Sequence, residues 1–335
     1  MRALLIFLAM LLSGCLGTKT MLSWKEHKAA AALQDAFGAQ NTWQISPLQG
    51  GLSGASIFIA DNGSHKYVVR FFDHLPPSQV ARLLNGQKNA WTGGYGPKVH
   101  WANPKQSVVV MDYLQPQQPN PETIMQDLAT LLRKIHTSPM GEGTTRYWDH
   151  VFSVVIKKLE EVPQTILDVP TVKSYLEKLV EKAAENLESK TCHRDMNPTN
   201  LIFCSGRFFA VDYDSLGIDD PYIDIAQVAT FYCHTPAATK KLLSAYLERE
   251  PTDVETTKLT LFQKIVLISY GLDFFGNIPD TLWTHKPELM PFRQFIRMVG
   301  SLGQSCYTVK TRLYHDQRRH ERKLNFTCFC NQSHP

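Results

Sequence analysis

The chain has 335 residues, of which 43% are hydrophobic and 20% are charged. This length and composition exclude a disordered or fibrous chain and allow one large domain or two lobes. Lys and Arg number 35 against 31 Asp and Glu, and the resulting net charge of +4 is too weak to predict nucleic-acid binding. We therefore expect no nucleic-acid partner.

The first fifteen residues, MRALLIFLAMLLSGC, combine one Arg with a short apolar run that ends in Leu-Ser-Gly-Cys. The run is too short for a permanent membrane-spanning helix, and it resembles a bacterial lipoprotein signal in which Cys15 would be lipidated. Alternatively, translation starts at Met10 or Met21. Residues 1–20 are therefore interpreted as a lipoprotein signal or a mis-assigned start. A cytoplasmic protein is favoured if Met21 is the start, and membrane attachment is expected only if Cys15 is lipidated.

The cysteines predict neither a disulfide framework nor a zinc site, because their spacing does not repeat and no His lies at a usual ligand distance along the chain. The seven cysteines are at positions 15, 192, 204, 233, 306, 328 and 330.

Short strand-like segments dominate the first part of the chain. They lie at 43–49, 55–61, 66–72 and 107–114, and turn signals such as Asp-Asn-Gly separate them. One helical stretch, 78–92, interrupts them. This order predicts a small antiparallel sheet in an N-lobe that spans 21–114.

The pattern becomes helical from residue 121 onward. Apolar residues recur at intervals of three and four in 121–138, 151–162 and 171–187, and a strand pair is expected at 200–213. The segments together predict an α+β fold of two lobes, with a mainly helical C-lobe at 115–320. Residues 321–335 are interpreted as a tail.

The stretch TCHRDMNPTNLIF, at 191–203, places Asp195 five residues before Asn200, and the second strand of the pair ends in Asp212 and Asp214. The hairpin would bring these groups to one edge. Phosphoryl transfer needs a carboxylate that accepts the proton of an incoming hydroxyl, and hard oxygen ligands for Mg²⁺. Asp195 suits the first role, while Asn200 and Asp212 suit the second. The alternative, that Asp195 caps a turn and Asp212 ends a strand, does not account for the ordered set.

The segments HRDMNPTN and VDYDSLGIDDPYIDIA resemble the aminoglycoside phosphotransferase and choline kinase family, which has a protein-kinase-like fold. The resemblance spans about 45–305 and implies ATP and Mg²⁺ as cofactors. It implies that Asp195 is the catalytic base, that Asn200 and Asp212 hold Mg²⁺, and that Asp214 occupies the acidic position beyond them. Asp224 would be a structural acid at a helix start.

His-Arg-Asp is also the form of this motif found in protein kinases. Here, however, DYDS stands where Asp-Phe-Gly would be, and no segment ending in Ala-Pro-Glu follows. A small-molecule kinase is therefore favoured over a protein kinase.

The N-lobe carries a glycine-rich segment, GGLSGAS, between two predicted strands. Glycines there allow backbone amides to close over phosphates, although such a segment is also common as a simple turn. By the family resemblance, Arg70 on the next strand contacts the phosphates and backbone groups of Asp112 to Leu114 meet the adenine. The predicted phosphate-binding residues of the segment are Gly50, Gly51, Ser53 and Gly54.

Two features of the N-lobe depart from much of the family. Arg70 replaces the more frequent Lys, as in the choline and thiamine kinase branches. The acidic partner expected on the following helix is missing, and Asn85 or Gln87 stands in its place. Either amide can orient Arg70 by hydrogen bonding, but neither supplies charge.

The acceptor is suggested by a closer likeness to bacterial choline kinases, with thiamine kinase next. A quaternary ammonium favours aromatic faces and a nearby carboxylate. The substrate residues expected on this basis are Asp214, Tyr270, Asp273, Phe274 and Trp283. Tyr270 and Phe274 are four residues apart on a predicted helix, so the alternative is that they belong to the core.

The sequence thus predicts a Mg-ATP-dependent kinase that phosphorylates the hydroxyl of a small amino alcohol, with choline or ethanolamine preferred. One alternative is a kinase for thiamine or an aminoglycoside. The other is a kinase-fold binding protein, membrane-anchored or not, that has lost catalysis.

Overall fold

The computed structural model describes residues 24–48, 56–73, 75–139, 146–160, 162, 164 and 167–276. The chain divides into two compact units, one formed by Met1–Lys88 with Pro97–Leu114 and the other by Asn89–Gly96 with Gln115–Pro335. Cys15 and the predicted tail lie outside the described residues, as does the glycine-rich segment up to residue 55.

The first unit is built on a five-stranded sheet in the order β1-β2-β3-β5-β4, in which all neighbours are antiparallel. Its helices are α1 at 24–37 and α2 at Pro77–Thr92, whose last turn belongs to the second unit. The strands are β1 Gln44–Pro47, β2 Ser56–Asp61, β3 Lys66–Phe71, β4 Val99–Asn103 and β5 Val108–Asp112.

Alternation along β3 explains why both faces of this sheet are covered. Val69 and Phe71 pack in one apolar cluster with residues of α1, whereas Val68 and Phe72 pack in a second cluster with residues of α2. Because successive side chains of a strand point to opposite faces, Arg70 lies on the α2 side with Val68 and Phe72.

The second unit is mainly helical and contains two small antiparallel sheets, β6 with β9 and β7 with β8. A π-helix at Val151–Ile156 joins α4 to α5. The helices are α3 Ile124–His136, α4 Tyr147–His150, α5 Lys157–Leu159, α6 Val169–Ala184, α7 Tyr222–Tyr232, α8 Pro236–Leu247 and α9 Asp253–Gly276. The strands are β6 Lys190–Cys192, β7 Leu201–Cys204, β8 Arg207–Ala210 and β9 Gly217–Asp219.

Local sequence determines where several of these elements begin and turn. The Asp168 side chain accepts a hydrogen bond from the Thr171 amide and caps α6, and Thr235 caps α8 in the same way. Between β7 and β8, Ser205 and Gly206 have φ angles of 50° and 77°, as a two-residue hairpin turn requires. Helix α7 is buried along ten consecutive residues and forms the centre of the core of this unit.

The structure confirms the predicted α+β class, with an antiparallel sheet in the first unit and a helical second unit. It also confirms the strand pair within 200–213 as the β7–β8 hairpin. Sequence analysis did not predict the pairing of β6 with β9, and it did not distinguish the π-helix inside the helical segment 151–162. Within the described part of the chain, every helix is too short or too polar to cross a membrane.

Candidate active site

The loop between β6 and β7 holds Asp195 in a set of neutral hydrogen-bond donors. Asn197 Nδ2 donates to one carboxylate oxygen at 2.8 Å, and Asn200 Nδ2 donates to the other at 2.8 Å. The Tyr270 hydroxyl, from α9, lies 3.4 Å from Oδ1. The carboxylate is therefore held in one orientation without a direct ion pair among these contacts.

The environment of Asp195 favours its protonated form more than water does. Burial raises the pKa of this carboxyl, and the negative charge of Asp212 raises it further, while the hydrogen bond from Asn197 and the proximity of His193 act in the opposite direction. The net result is a raised pKa, which brings the group closer to the pH at which it would exchange a proton.

Asn200 lies opposite Val211 at the start of the hairpin, because the Val211 amide donates to the Asn200 carbonyl at 2.9 Å, and Asp212 is the next residue along the chain. Asn200 Nδ2 donates both to the Asp195 carboxylate and to the Asp195 carbonyl, at 3.0 Å, so its Oδ1 is the atom turned away from Asp195. Asp212 has a φ of 67° and a ψ of 72°, a left-handed conformation that is uncommon outside glycine and recurs at functional sites. Asp214 follows in the short helix Tyr213–Ser215.

Asp224, in the first turn of α7, anchors the loop before Asp195. Its carboxylate accepts from the His193 and Arg194 amides, each at 2.7 Å, and His136 Nε2 lies 3.1 Å from it. Burial acts to raise the pKa of Asp224, but the hydrogen bonds from His136 and the Arg194 amide and the proximity of His136 and His193 together leave it lowered. These contacts agree with the structural role expected for this acid.

Asp219, which sequence analysis did not single out, ties the same loop to α4. It is fully buried, and its carboxylate lies 3.4 Å from Arg194 Nε and accepts from the Tyr147 amide at 2.6 Å. The Arg194 guanidinium also donates to the Ile218 carbonyl at 3.0 Å and lies directly against Gly217. The Arg194 side chain is therefore held by hydrogen bonds and charge within the second unit.

Arg70 and Gln87 are buried in the same layer of the first unit, with 3% and 2% of their surface exposed. Gln87 shares the sheet-facing side of α2 with Leu83 and Leu84, whereas Asn85 is exposed. Of the two amides, Gln87 therefore lies on the same side of the sheet as Arg70, and Asn85 does not.

A model of the phosphotransferase enzyme family, called APH, matches residues 44–255. The chain belongs to this family. The match confirms the resemblance carried by the His-Arg-Asp loop and the Asp-rich segment that follows the hairpin. A search of curated protein sequences found no significant match to this chain.

Solved structures of similar fold include two kinds of small-molecule kinase. A choline/ethanolamine kinase family protein from Mesorhizobium loti has 18% identity and a TM-score of 0.60, over 86% of this chain and 99% of that one. Choline kinase LicA from Streptococcus pneumoniae has 17% identity and a TM-score of 0.57, over 72% and 87%. An aminoglycoside phosphotransferase solved with streptomycin and ATP has 18% identity and a TM-score of 0.52, over 73% and 90%. At these identities the likeness shows the fold alone.

The substrate residues expected in this phosphotransferase are only partly described. Tyr270 lies beside Asp195, and Phe231 packs edge-on against its ring with centroids 5.3 Å apart. Asp273 is exposed on the same helix, one turn further along. The side chain of Phe274 and all of Trp283 lie outside the described residues, as do Gly50, Gly51, Ser53 and Gly54.

The predicted adenine-binding segment follows β5. The Asp112 amide donates to the Lys98 carbonyl at 2.9 Å, and the Tyr113 amide donates to the Lys66 carbonyl at 3.1 Å. Asp112 also binds His100 through its side chain at 2.6 Å. The amides of Asp112 and Tyr113 are therefore already bonded within the first unit.

His136, Cys192 and Asp224 form a buried group whose side-chain atoms are close enough to suggest a metal site. However, Asp224 already accepts two backbone amides, and His136 bonds both Asp224 and the Tyr246 hydroxyl. Burial also raises the pKa of the Cys192 thiol, which disfavours the thiolate that a metal needs. In this phosphotransferase the group is part of the packing that holds the loop.

Proposed function

We propose that the chain is a Mg-ATP-dependent kinase that phosphorylates the hydroxyl of a small amino alcohol, either choline or ethanolamine. The observation that carries this proposal is the contact of Asp195 with Asn200, together with the nearby charge of Asp212, which follows the Val211 that bonds Asn200. A single polar turn would not need a carboxylate, an amide and a second carboxylate in this order. Phosphoryl transfer needs all three.

Asp195 is the proton acceptor in this proposal. The acceptor oxygen bonds to the terminal phosphorus of ATP as the bond to ADP breaks, and its proton passes to the carboxylate of Asp195. Asn197 and Asn200 hold that carboxylate in place by donating to both of its oxygens. Because Asp195 must be ionised to accept a proton, its hydrogen-bond donors also keep its pKa from rising too far.

Asn200 and Asp212 fit the magnesium ion that such a reaction uses. Both offer hard oxygen atoms, and Asn200 turns its Oδ1 away from Asp195 because its nitrogen is bonded there. When bound, Mg²⁺ would neutralise charge on the transferring phosphate. Arg70 is the cation proposed for the other phosphates, since guanidinium groups pair well with phosphate oxygens.

The acceptor class is supported by the character of the groups around Asp195. Two tyrosines, Tyr147 and Tyr270, approach the carboxylate, and the charges of both Asp195 and Asp273 act on Tyr147. A cationic head group is attracted to such a set of aromatic rings and carboxylates. Relatives of similar fold named as choline or ethanolamine kinases add support for these acceptors.

One observation favours the alternative of a nucleotide-binding protein without catalysis. Gln87 is a neutral residue in the layer of Arg70, at the position where the family resemblance leads us to expect an acid. A weakly oriented cation would allow ATP to bind without efficient transfer. Turnover separates the two functions.

The test is ADP release by the full-length chain with Mg-ATP and, in separate reactions, choline, ethanolamine, thiamine or streptomycin. Asp195→Asn is the matched control, because it keeps the size of the side chain and removes its ability to accept a proton. Mg-ATP binding is measured in parallel by calorimetry.

We expect ADP release that depends on choline or ethanolamine and is lost in Asp195→Asn. Transfer only to streptomycin or thiamine would keep the kinase and replace its acceptor. Binding of Mg-ATP without transfer to any acceptor would contradict the proposal and favour a binding protein.

A further inference from the structure

Gln227 is a polar residue in the middle of the most apolar helix of the second unit. None of its surface is exposed, and every described residue of α7 from Tyr222 to Phe231 is buried with it. Burying an amide costs free energy unless its atoms are hydrogen-bonded. Gln227 is therefore held in the core by specific partners.

Both ends of the Gln227 amide bond the loop that carries Asp195. Nε2 donates to the Arg194 carbonyl at 2.8 Å, and Oε1 accepts from the Met196 amide at 2.9 Å. These backbone groups stand immediately before and after Asp195. One side chain thus fixes the position and the rotation of the backbone on both sides of this carboxylate.

Tyr147 supports Gln227 from a second direction. Its hydroxyl lies close to the side chains of Gln227 and of Ser269, a buried residue of α9. Its own backbone amide donates to Asp219 at 2.6 Å. The loop is therefore linked through Gln227 to α4 and α9 as well as to α7.

We propose that Gln227 is a positioning residue for phosphoryl transfer, in which its amide sets the orientation of Asp195 and Tyr147 keeps that amide in place. The inference rests on the proposed function, because it takes Asp195 to be the proton acceptor. A displacement of about 1 Å in a reacting group costs on the order of 100-fold in rate. The effect therefore belongs to kcat and not to binding.

The test compares Gln227→Met and Tyr147→Phe in the full-length chain. Gln227→Met keeps the length of the side chain and removes both hydrogen bonds, and Tyr147→Phe removes only a hydroxyl. Each kcat is expressed per molecule that binds Mg-ATP, so that loss of folded protein does not count. The control is Gln117→Met, because Gln117 Oε1 accepts from the Ser205 amide at 2.9 Å on a surface turn.

Gln227→Met is expected to lower kcat about 10- to 100-fold while the KM values for ATP and acceptor change less than about twofold. Tyr147→Phe should lower kcat in the same direction by less, and Gln117→Met should leave it unchanged. If Gln227→Met does not fold, Tyr147→Phe decides.

An unchanged kcat in Gln227→Met, or in Tyr147→Phe where that variant decides, would overturn the inference and leave the kinase proposal standing. A decrease in kcat accompanied by a comparable increase in both KM values would also overturn the inference. If the wild-type chain binds Mg-ATP but transfers to no acceptor, both proposals fall, since no proton acceptor exists for Gln227 to position.

Discussion

The groups around Asp195 act on its pKa in opposite directions. Burial and Asp212 raise its pKa, while Asn197, His193 and Asn200 lower it. Tyr147 from α4 and Tyr270 from α9 also face it, and burial raises both of their pKa values, so the two phenols stay neutral at neutral pH. Small changes in this set should therefore move the pH at which the carboxylate ionises.

Asn197→Ala should move the acidic limb of the kcat profile to higher pH. Asn197 donates to the ionised carboxylate and lowers its pKa, so its removal raises that pKa further above the ordinary value of about 3.9. Activity needs ionised Asp195 and is lost as the pH falls through its pKa. Asn103→Ala, which removes a similar turn-forming amide from the first unit, is the control and should leave the limb in place.

Asp212→Asn should weaken Mg-ATP binding on the order of 10-fold or more, because the substitution removes a charged metal ligand. Asn tolerates the left-handed backbone found at this position, so the fold of the turn should survive. Calorimetry with ATP in the presence and absence of Mg²⁺ gives the comparison. Equal loss of affinity in both conditions would count against a role as metal ligand.

The elements next to the hairpin depend on close packing around Arg194. Strand β9 places Gly217 in contact with the Arg194 guanidinium. It also places the Asp219 carboxylate 3.4 Å from Arg194 Nε. A Cβ at Gly217 would lie 1.9 Å from an Arg194 nitrogen, so Arg194 would have to move. Gly217→Ala should therefore weaken the contacts that the Arg194 side chain makes with β9.

We expect Gly217→Ala to lower the free energy of unfolding by about 2 kcal/mol, since a buried carboxylate loses one of its cations but keeps its other partners. Thermal and urea unfolding measure the change. Gly271→Ala is the control, because a Cβ there meets no atom within 4 Å from the described residues outside its own helix backbone, and Ala favours a helix. An equal effect of the two substitutions would contradict the packing argument.

Helix α2 and strand β3 form the layer in which Arg70 and Gln87 are buried. Gln87→Glu should raise affinity for Mg-ATP by up to about 10-fold, because it adds a charged acceptor to that layer. Asn85→Glu adds the same charge on the exposed side of the helix and should have no such effect. A gain of the same size in both variants would mean that net charge, and not Arg70, is responsible.

The elements that sequence predicted are those with a strong local signal. Alternation predicted β2, β3 and β5, and the apolar periodicity predicted α3 and α6. The β6–β9 pair was not predicted, because each strand has only three residues and its partner lies far along the chain. Among the proposed site residues, Asp195, Asn200 and Asp212 were predicted from their order. Gln227 was missed, although one polar residue in an apolar helix is itself a signal.

The molecule holds its candidate site residues on two units, each with its own hydrophobic core. Arg70 and Gln87 belong to the first unit, and Asp195, Asn200 and Asp212 belong to the second. A core fixes side chains within a unit to the accuracy that catalysis needs. The family match, over residues 44–255, includes residues of both units.

The most direct measurement is the rate of phosphoryl transfer by Asp195→Asn compared with its affinity for Mg-ATP. The account predicts that kcat falls about 100-fold or more while the Kd for Mg-ATP stays close to that of the wild type, because only the proton acceptor is lost. Full turnover in this variant, or loss of nucleotide binding together with turnover, would contradict the assignment of Asp195.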